Sequence, residues 1–349
     1  MTEHSLSWTA STVVCSLPPS ISRVYVQTPD GPLELLVSQP SPPTQPRKKA
    51  VLFQHGGFGA AAVWIPFMQY FSQIYGHPCY AASLRGHGAS WKPGFFRMVL
   101  LTGKAAMARD LGYVLNWVQG YEAGQRQNHL DLEDIVLVGH SAGGGLAQYL
   151  LSQDLAQVGG LSLMGAFPSF GGLRVYWNWA KLDPYFGIRM YLRDFGHPRS
   201  PLSSTTLIHR AFFCPSFPIN AVEDFEPHMP AFESLLWPLG MMVPFINTGS
   251  VLKNILGWSP MLKDRLFVMA GSEDTLMGTT LMCRMAQHYR KAFRVLVKRK
   301  ILRVDPDAAE PPSCDGVRFG VIEGAGHHMQ NDLQWQESAH QLLAFIEQL

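Results

Sequence analysis

Charge is scarce in this chain. Asp, Glu, Lys and Arg make up 15% of its 349 residues, below the usual quarter or so of a globular protein. The two signs nearly cancel, 28 basic against 26 acidic, and they are mixed along the sequence. That argues against a nucleic-acid site, which needs a broad basic face with interleaved aromatics. The densest basic stretch, Lys298-Arg299-Lys300 followed by Arg303, reads as a solvated helix end or loop. Cysteine is scarce too. Cys15, Cys79, Cys214, Cys283 and Cys314 are irregularly spaced. No CxxC or Cys/His pair has zinc spacing, so no metal centre is expected, and the thiols read as reduced. No run of about 18 apolar residues occurs, so no transmembrane helix is expected. The start, MTEHSLSWTASTVV, lacks the basic and apolar regions of a signal peptide, and Glu347-Gln348-Leu349 matches the peroxisomal SKL poorly. A cytoplasmic location is expected.

What is present is apolar and loop-rich. Hydrophobic residues make up 47%, with 25 Pro and 32 Gly, which fits a compact enzyme and not a disordered chain. Residues 1 to 20 read as a loose arm. Ile21 to Gln27 and Leu33 to Ser38 read as a hairpin about the turn Pro29-Asp30-Gly31-Pro32, and SQPSPPTQPRKK as a Pro-rich surface linker. AVLFQ (50–54), CYAASL (79–84), IVLV (135–138), LSLMGA (161–166), LFVMA (266–270) and VRFGVI (317–322) are short apolar runs, suited to strands buried on both faces of a parallel sheet. Leu111, Val114, Leu115 and Val118 mark a helix with one buried stripe. A helix is expected after Gly145, and a final amphipathic helix over Trp335 to Leu349. Strands alternating with helices indicate a mostly parallel sheet covered on both faces. From Pro168 to about Pro260 the rhythm breaks into aromatics and scattered prolines, read as a mainly helical cap. The expected division is a core of 1–166 and 261–349 with a cap of 167–260.

Gly139-His140-Ser141-Ala142-Gly143 is a G-x-S-x-G between an apolar strand and a small-residue helix start. That is the setting of a nucleophile elbow, where a strained turn lifts a serine clear of the backbone. Serine needs a base, and in this arrangement acid and base follow it in the order Ser, Asp or Glu, His. Asp274 lies in MAGSEDTLM after one strand, with Glu273 as its rival; no acid follows Ala166 until Asp183. His327 lies in GAGHH after the next strand, with His328 as its rival. His55, His87 and His140 sit in Gly-rich loops and read as backbone-bonding residues. The oxyanion of acyl transfer needs two N–H donors. Ala142, after the nucleophile, supplies one, and the His55-Gly56-Gly57-Phe58-Gly59 loop the other, at Gly57 or else Phe58.

HGGFG, SLRGHGAS, GHSAG, AGSED and GAGHH together resemble the α/β-hydrolase superfamily in order and spacing, over about residues 50–166 and 261–349. The resemblance implies an α/β fold with an eight-stranded, mostly parallel sheet, helices on both faces, and a lid inserted after the sixth strand. Ser83-Leu84 replace the acid more usual before RGHG. Ser141 argues against the similar haloalkane dehalogenases and epoxide hydrolases, which carry Asp there. The single HGG sets the chain apart from hormone-sensitive-lipase relatives with HGGG.

The expected activity is hydrolysis of an apolar carboxylic ester, lactone or thioester of a small metabolite through Ser141, His327 and Asp274. No metal or organic cofactor is implied. Phe58, His140, Trp177, Trp237 and Met241 are candidates to contact the substrate, since such pockets are largely apolar. Two rivals keep the same site. One is C–C bond hydrolysis or cofactor-free lyase chemistry, the motif style being similar to hydrolases of fungal metabolite pathways. The other is a slow-turnover ligand-binding receptor.

Overall fold

The fold is built on eight strands: β1 (Ser22–Val26), β2 (Leu33–Ser38), β3 (Ala50–Gln54), β4 (Cys79–Ala82), β5 (Ile135–His140), β6 (Gly160–Met164), β7 (Leu266–Gly271) and β8 (Val317–Ile322). In the computed structural model they form one sheet in the order β1-β2-β4-β3-β5-β6-β7-β8. The structure describes residues 6–10, 14–43, 46–126, 131–258, 264–302 and 315–349. Arg303 and Cys314, and the expected boundary at 260, lie outside these. β1 and β2 pair antiparallel, as does β2 with β4, and the other five pairings are parallel.

The apolar runs form strands because both of their faces are covered. Ala50 and Leu52 of β3 join one hydrophobic cluster while Val51 and Phe53 join another on the opposite face. α2 (Lys104–Gln125), α3 (Ser141–Ser152) and α10 (Thr279–Lys298) supply the first, and α1 (Ile65–Gln69) and α11 (Trp335–Ile346) the second. Between β6 and β7 the chain makes α4 (Leu173–Leu182), α5 (Phe186–Ile188), α6 (Thr205–Phe212), α7 (Ile219–Phe225), α8 (Leu236–Leu239) and α9 (Thr248–Lys253). Among the described residues no helix is long and apolar enough to cross a membrane.

Four expectations change. α3 begins at Ser141, not after Gly145. Gly143, Gly144 and Gly145 look like a loop but lie within the helix, where they are contact surfaces. A Cβ on them would come within 2.0 Å of the His55 carbonyl oxygen, 2.4 Å of Ala166 Cβ and 2.6 Å of Met241 Sδ. β4 ends at Ala82, because the Leu84 N–H leaves the ladder and donates to His55 Nε2 at 3.1 Å. The arm is not wholly loose: the Trp8 ring lies 4.7 Å from Phe95 and 4.8 Å from His197. The end of the expected cap returns early to the core: Ile255 bridges Val158, and α9 packs on α3 and α10.

Candidate active site

The site grows from the carboxyl ends of β3, β5, β7 and β8. Ser141 follows β5 directly with φ +52, a left-handed conformation that costs a non-glycine residue about 1–2 kcal/mol. The turn survives because its surroundings leave no alternative. A Cβ on Gly56 would lie 2.7 Å from Ser141 Cβ, and one on Gly139 would lie 2.6 Å from Gly144 Cα. Ser141 opens α3, so the N–H groups of the first turn, Ala142 among them, have no acceptor within the helix and favour negative charge nearby.

Ser141 Oγ lies 2.9 Å from His327 Nε2, and His327 Nδ1 lies 2.8 Å from Asp274 Oδ2. Nδ1 donates to the carboxylate, which leaves Nε2 to accept the hydrogen bond of the Ser141 hydroxyl. Asp274 is buried, and its Oδ1 accepts the N–H groups of Leu276 and Met277, both at 2.8 Å. One carboxylate oxygen therefore fixes the loop and the other fixes the ring. The rivals lie elsewhere. Glu273 points to solvent. His328 is buried, with Nδ1 against Asn331 and Gln330. Burial, aided by the nearby His327, pushes the His328 pKa down to about 3, so it stays neutral.

The loop histidines hold backbone. His55 Nδ1 donates to the Gly56 carbonyl at 2.7 Å and Nε2 accepts from Leu84 N–H. The ring is neutral, and burial holds its pKa well below the ordinary value. His140 Nε2 donates to the His327 carbonyl at 2.9 Å, tying the residue before Ser141 to the loop that carries His327. Its ring is also kept neutral, by burial first and then by neighbouring His328 and His327.

In the His55–Gly59 loop the two candidate donors separate. Among the described residues, the Gly57 N–H donates to no backbone carbonyl. The Phe58 N–H is engaged, donating to Glu233 Oε2 at 3.0 Å. The substrate candidates also separate. Trp237 is buried, with its ring 6.2 Å from that of His87. Met241 is buried against Gly145 of α3. Trp177, by contrast with the expectation, is 58% exposed on α4, with Lys181 Nζ 5.9 Å from its ring centre, so it faces solvent. An aromatic in a helix shows the same letters in either position.

Two residues with no motif prove to matter. Asp332 Oδ2 accepts the N–H groups of Gly326 at 2.7 Å and Cys214 at 2.8 Å, fastening the His327 loop to the insertion. Glu233 reaches the His55–Gly59 loop from the insertion, at the Phe58 N–H. The only sequence signal for it is an acid isolated in the apolar run PAFESLLWPL. Among the described residues no group of three or more His, Cys, Asp or Glu could hold a metal ion.

The family profile described as the alpha/beta hydrolase fold matches residues 49–225. Solved structures with similar folds include an esterase, EaEST, from Exiguobacterium antarcticum. It is 16% identical over 93% of this chain and 98% of its own, with a TM-score of 0.56. A carboxyl esterase from Bacillus coagulans is 16% identical over 95% and 99%, with a TM-score of 0.59. The carboxylesterase CesB from Bacillus subtilis is 18% identical over 94% and 92%, with a TM-score of 0.54.

Proposed function

The chain belongs to the alpha/beta hydrolase fold family, and from that premise we propose that it is a serine hydrolase for an apolar carboxylic ester, lactone or thioester of a small metabolite. The observation that carries this is the continuous pair of contacts from Asp274 through His327 to Ser141, 2.8 and 2.9 Å long. The neighbours' printed names, esterase and carboxylesterase, support the same bond class.

In this reading His327 Nε2 takes the proton of Ser141 Oγ as the oxygen attacks the carbonyl carbon. The Gly57 and Ala142 N–H groups hold the oxyanion. Asp274 keeps the proton of His327 on Nδ1 and stabilises the imidazolium. His327 then gives its proton to the leaving group. A water enters, attacks the acyl carbon as it loses a proton to His327, and the acid leaves as His327 returns that proton to Ser141 Oγ. The helical insertion between β6 and β7 caps the site and supplies an apolar wall with Trp237 and Met241.

The test is labelling with a fluorophosphonate, followed by ester, lactone and thioester panels. The wild-type protein should label at Ser141, and Ser141→Ala should lose labelling and at least about 10⁴-fold in turnover. A wild-type protein that stays unlabelled would sink the hydrolase reading and favour the receptor. Labelling without ester turnover, but with cleavage of a C–C substrate, would move the chemistry to the other rival.

A further inference from the structure

Glu233 is a buried carboxylate that this mechanism leaves without a task. It is 4% exposed. Its Oε2 accepts the Phe58 N–H at 3.0 Å and lies 2.8 Å from His87 Nε2, while its Oε1 accepts the Ser234 N–H at 2.7 Å. The segment carrying it is anchored to the core. Ser234 Oγ donates to the Thr102 carbonyl and accepts the Trp237 N–H, and the Leu235 N–H donates to the Val99 carbonyl.

The partners fix the protons. His87 Nδ1 lies 2.8 Å from the Arg85 carbonyl, which can only accept, so Nδ1 carries a proton. One more proton lies between Nε2 and Glu233 Oε2. Whether it sits on the ring or on the carboxyl, the pair is neutral as a whole. A buried carboxylate without such compensation would be costly and would oppose an oxyanion forming on the adjacent loop. Phe58, the residue it grips, has φ +59, which is unusual for a bulky side chain. Such a conformation persists where its surroundings over-determine it.

We infer that Glu233 is the positioning residue of the oxyanion loop: its bond to the Phe58 N–H holds the left-handed turn that leaves the Gly57 N–H for the substrate oxygen, and the proton it shares with His87 keeps the pair neutral. This rests on the hydrolase reading above.

Glu233→Gln isolates the bond. The new amide nitrogen satisfies neutral His87 Nε2 and the amide oxygen still accepts from Ser234, but the Phe58 N–H then faces a donor. Turnover of the best panel ester should fall roughly ten- to a hundredfold, less than for a deleted donor, with KM within about threefold. Affinity for a boronic acid inhibitor, a mimic of the tetrahedral state, should fall in parallel. In a Phe58→Gly background, where glycine adopts the turn unaided, the same substitution should cost no more than about threefold. Amide exchange of the 56–59 segment should accelerate in Glu233→Gln. An equal loss in both backgrounds, a loss carried by KM, or unchanged exchange would overturn the assignment. Exchange reads the bond without turnover, so it separates failure of this inference from failure of the hydrolase reading, which wild-type labelling tests.

Discussion

The loops at the carboxyl edge of the sheet and the outer stretch of the insertion treat their rings in opposite ways. At the edge His55, His87, His140, His327 and His328 are all at most 2% exposed, and each ring has a hydrogen-bond partner. From Leu173 to Phe195 the insertion leaves Trp177, Tyr185, Ile188, Tyr191, Leu192 and Phe195 more than half exposed. The edge is over-determined: backbone proximity, ring tautomers and buried carboxylates all specify one arrangement. The outer insertion is specified mainly by the few residues it buries, Val175 and Met190 among them. Sensitivity to substitution should follow that division.

The sharpest test lies between two adjacent acids. Asp274→Asn should lower kcat by about 10³- to 10⁴-fold, because an amide in this place can favour the wrong His327 tautomer. Glu273→Gln, one residue away and exposed, should stay within about twofold. Steady-state kinetics on one ester decide it, and comparable losses at both positions would break the distinction drawn between them.

The same division explains what was legible in the sequence. The strand runs could be read because two buried faces leave little but apolar residues. That Ser141, Asp274 and His327 meet could be read because each follows a strand end, and the loops after strand ends lie together at one edge of such a sheet. The start of α3 is hidden in the sequence because Gly143 to Gly145 lower helix propensity, whereas here they admit His55, Ala166 and Met241 at close range. Glu233 had no motif because its role depends on a contact with Phe58 across 175 residues of chain. Trp177 and Trp237 look alike as letters and differ only in which side of a helix meets the core.

A second contrast concerns stability. Met241 is buried against Gly145, and Met241→Ala should cost about 2–5 kcal/mol by leaving a cavity. Leu192 is 76% exposed, and Leu192→Ser should change stability by no more than about 0.5 kcal/mol. Urea unfolding of both variants measures the difference. A large loss at Leu192 would show that the outer insertion is covered in solution, for example by a second copy of the chain.

A further effect comes from acid. Burial is the main cause that pushes His328 to about 3 and holds His55 and His140 well below the usual 6.5. In the unfolded chain these rings regain an ordinary pKa near 6.5. Between about pH 6.5 and 3 the unfolded state therefore binds more protons than the folded one, so stability falls as pH falls. The stabilisation is complete above the unfolded value and is lost on acidification, at up to about 1.4 kcal/mol per pH unit for each ring. His328→Gln removes one titrating ring. The pH dependence of its unfolding free energy between 6 and 4 should be shallower by about that amount. An unchanged slope would mean that His328 already carries its proton when folded. The edge histidines would then not all be neutral, and the acid sensitivity would belong to His55 and His140.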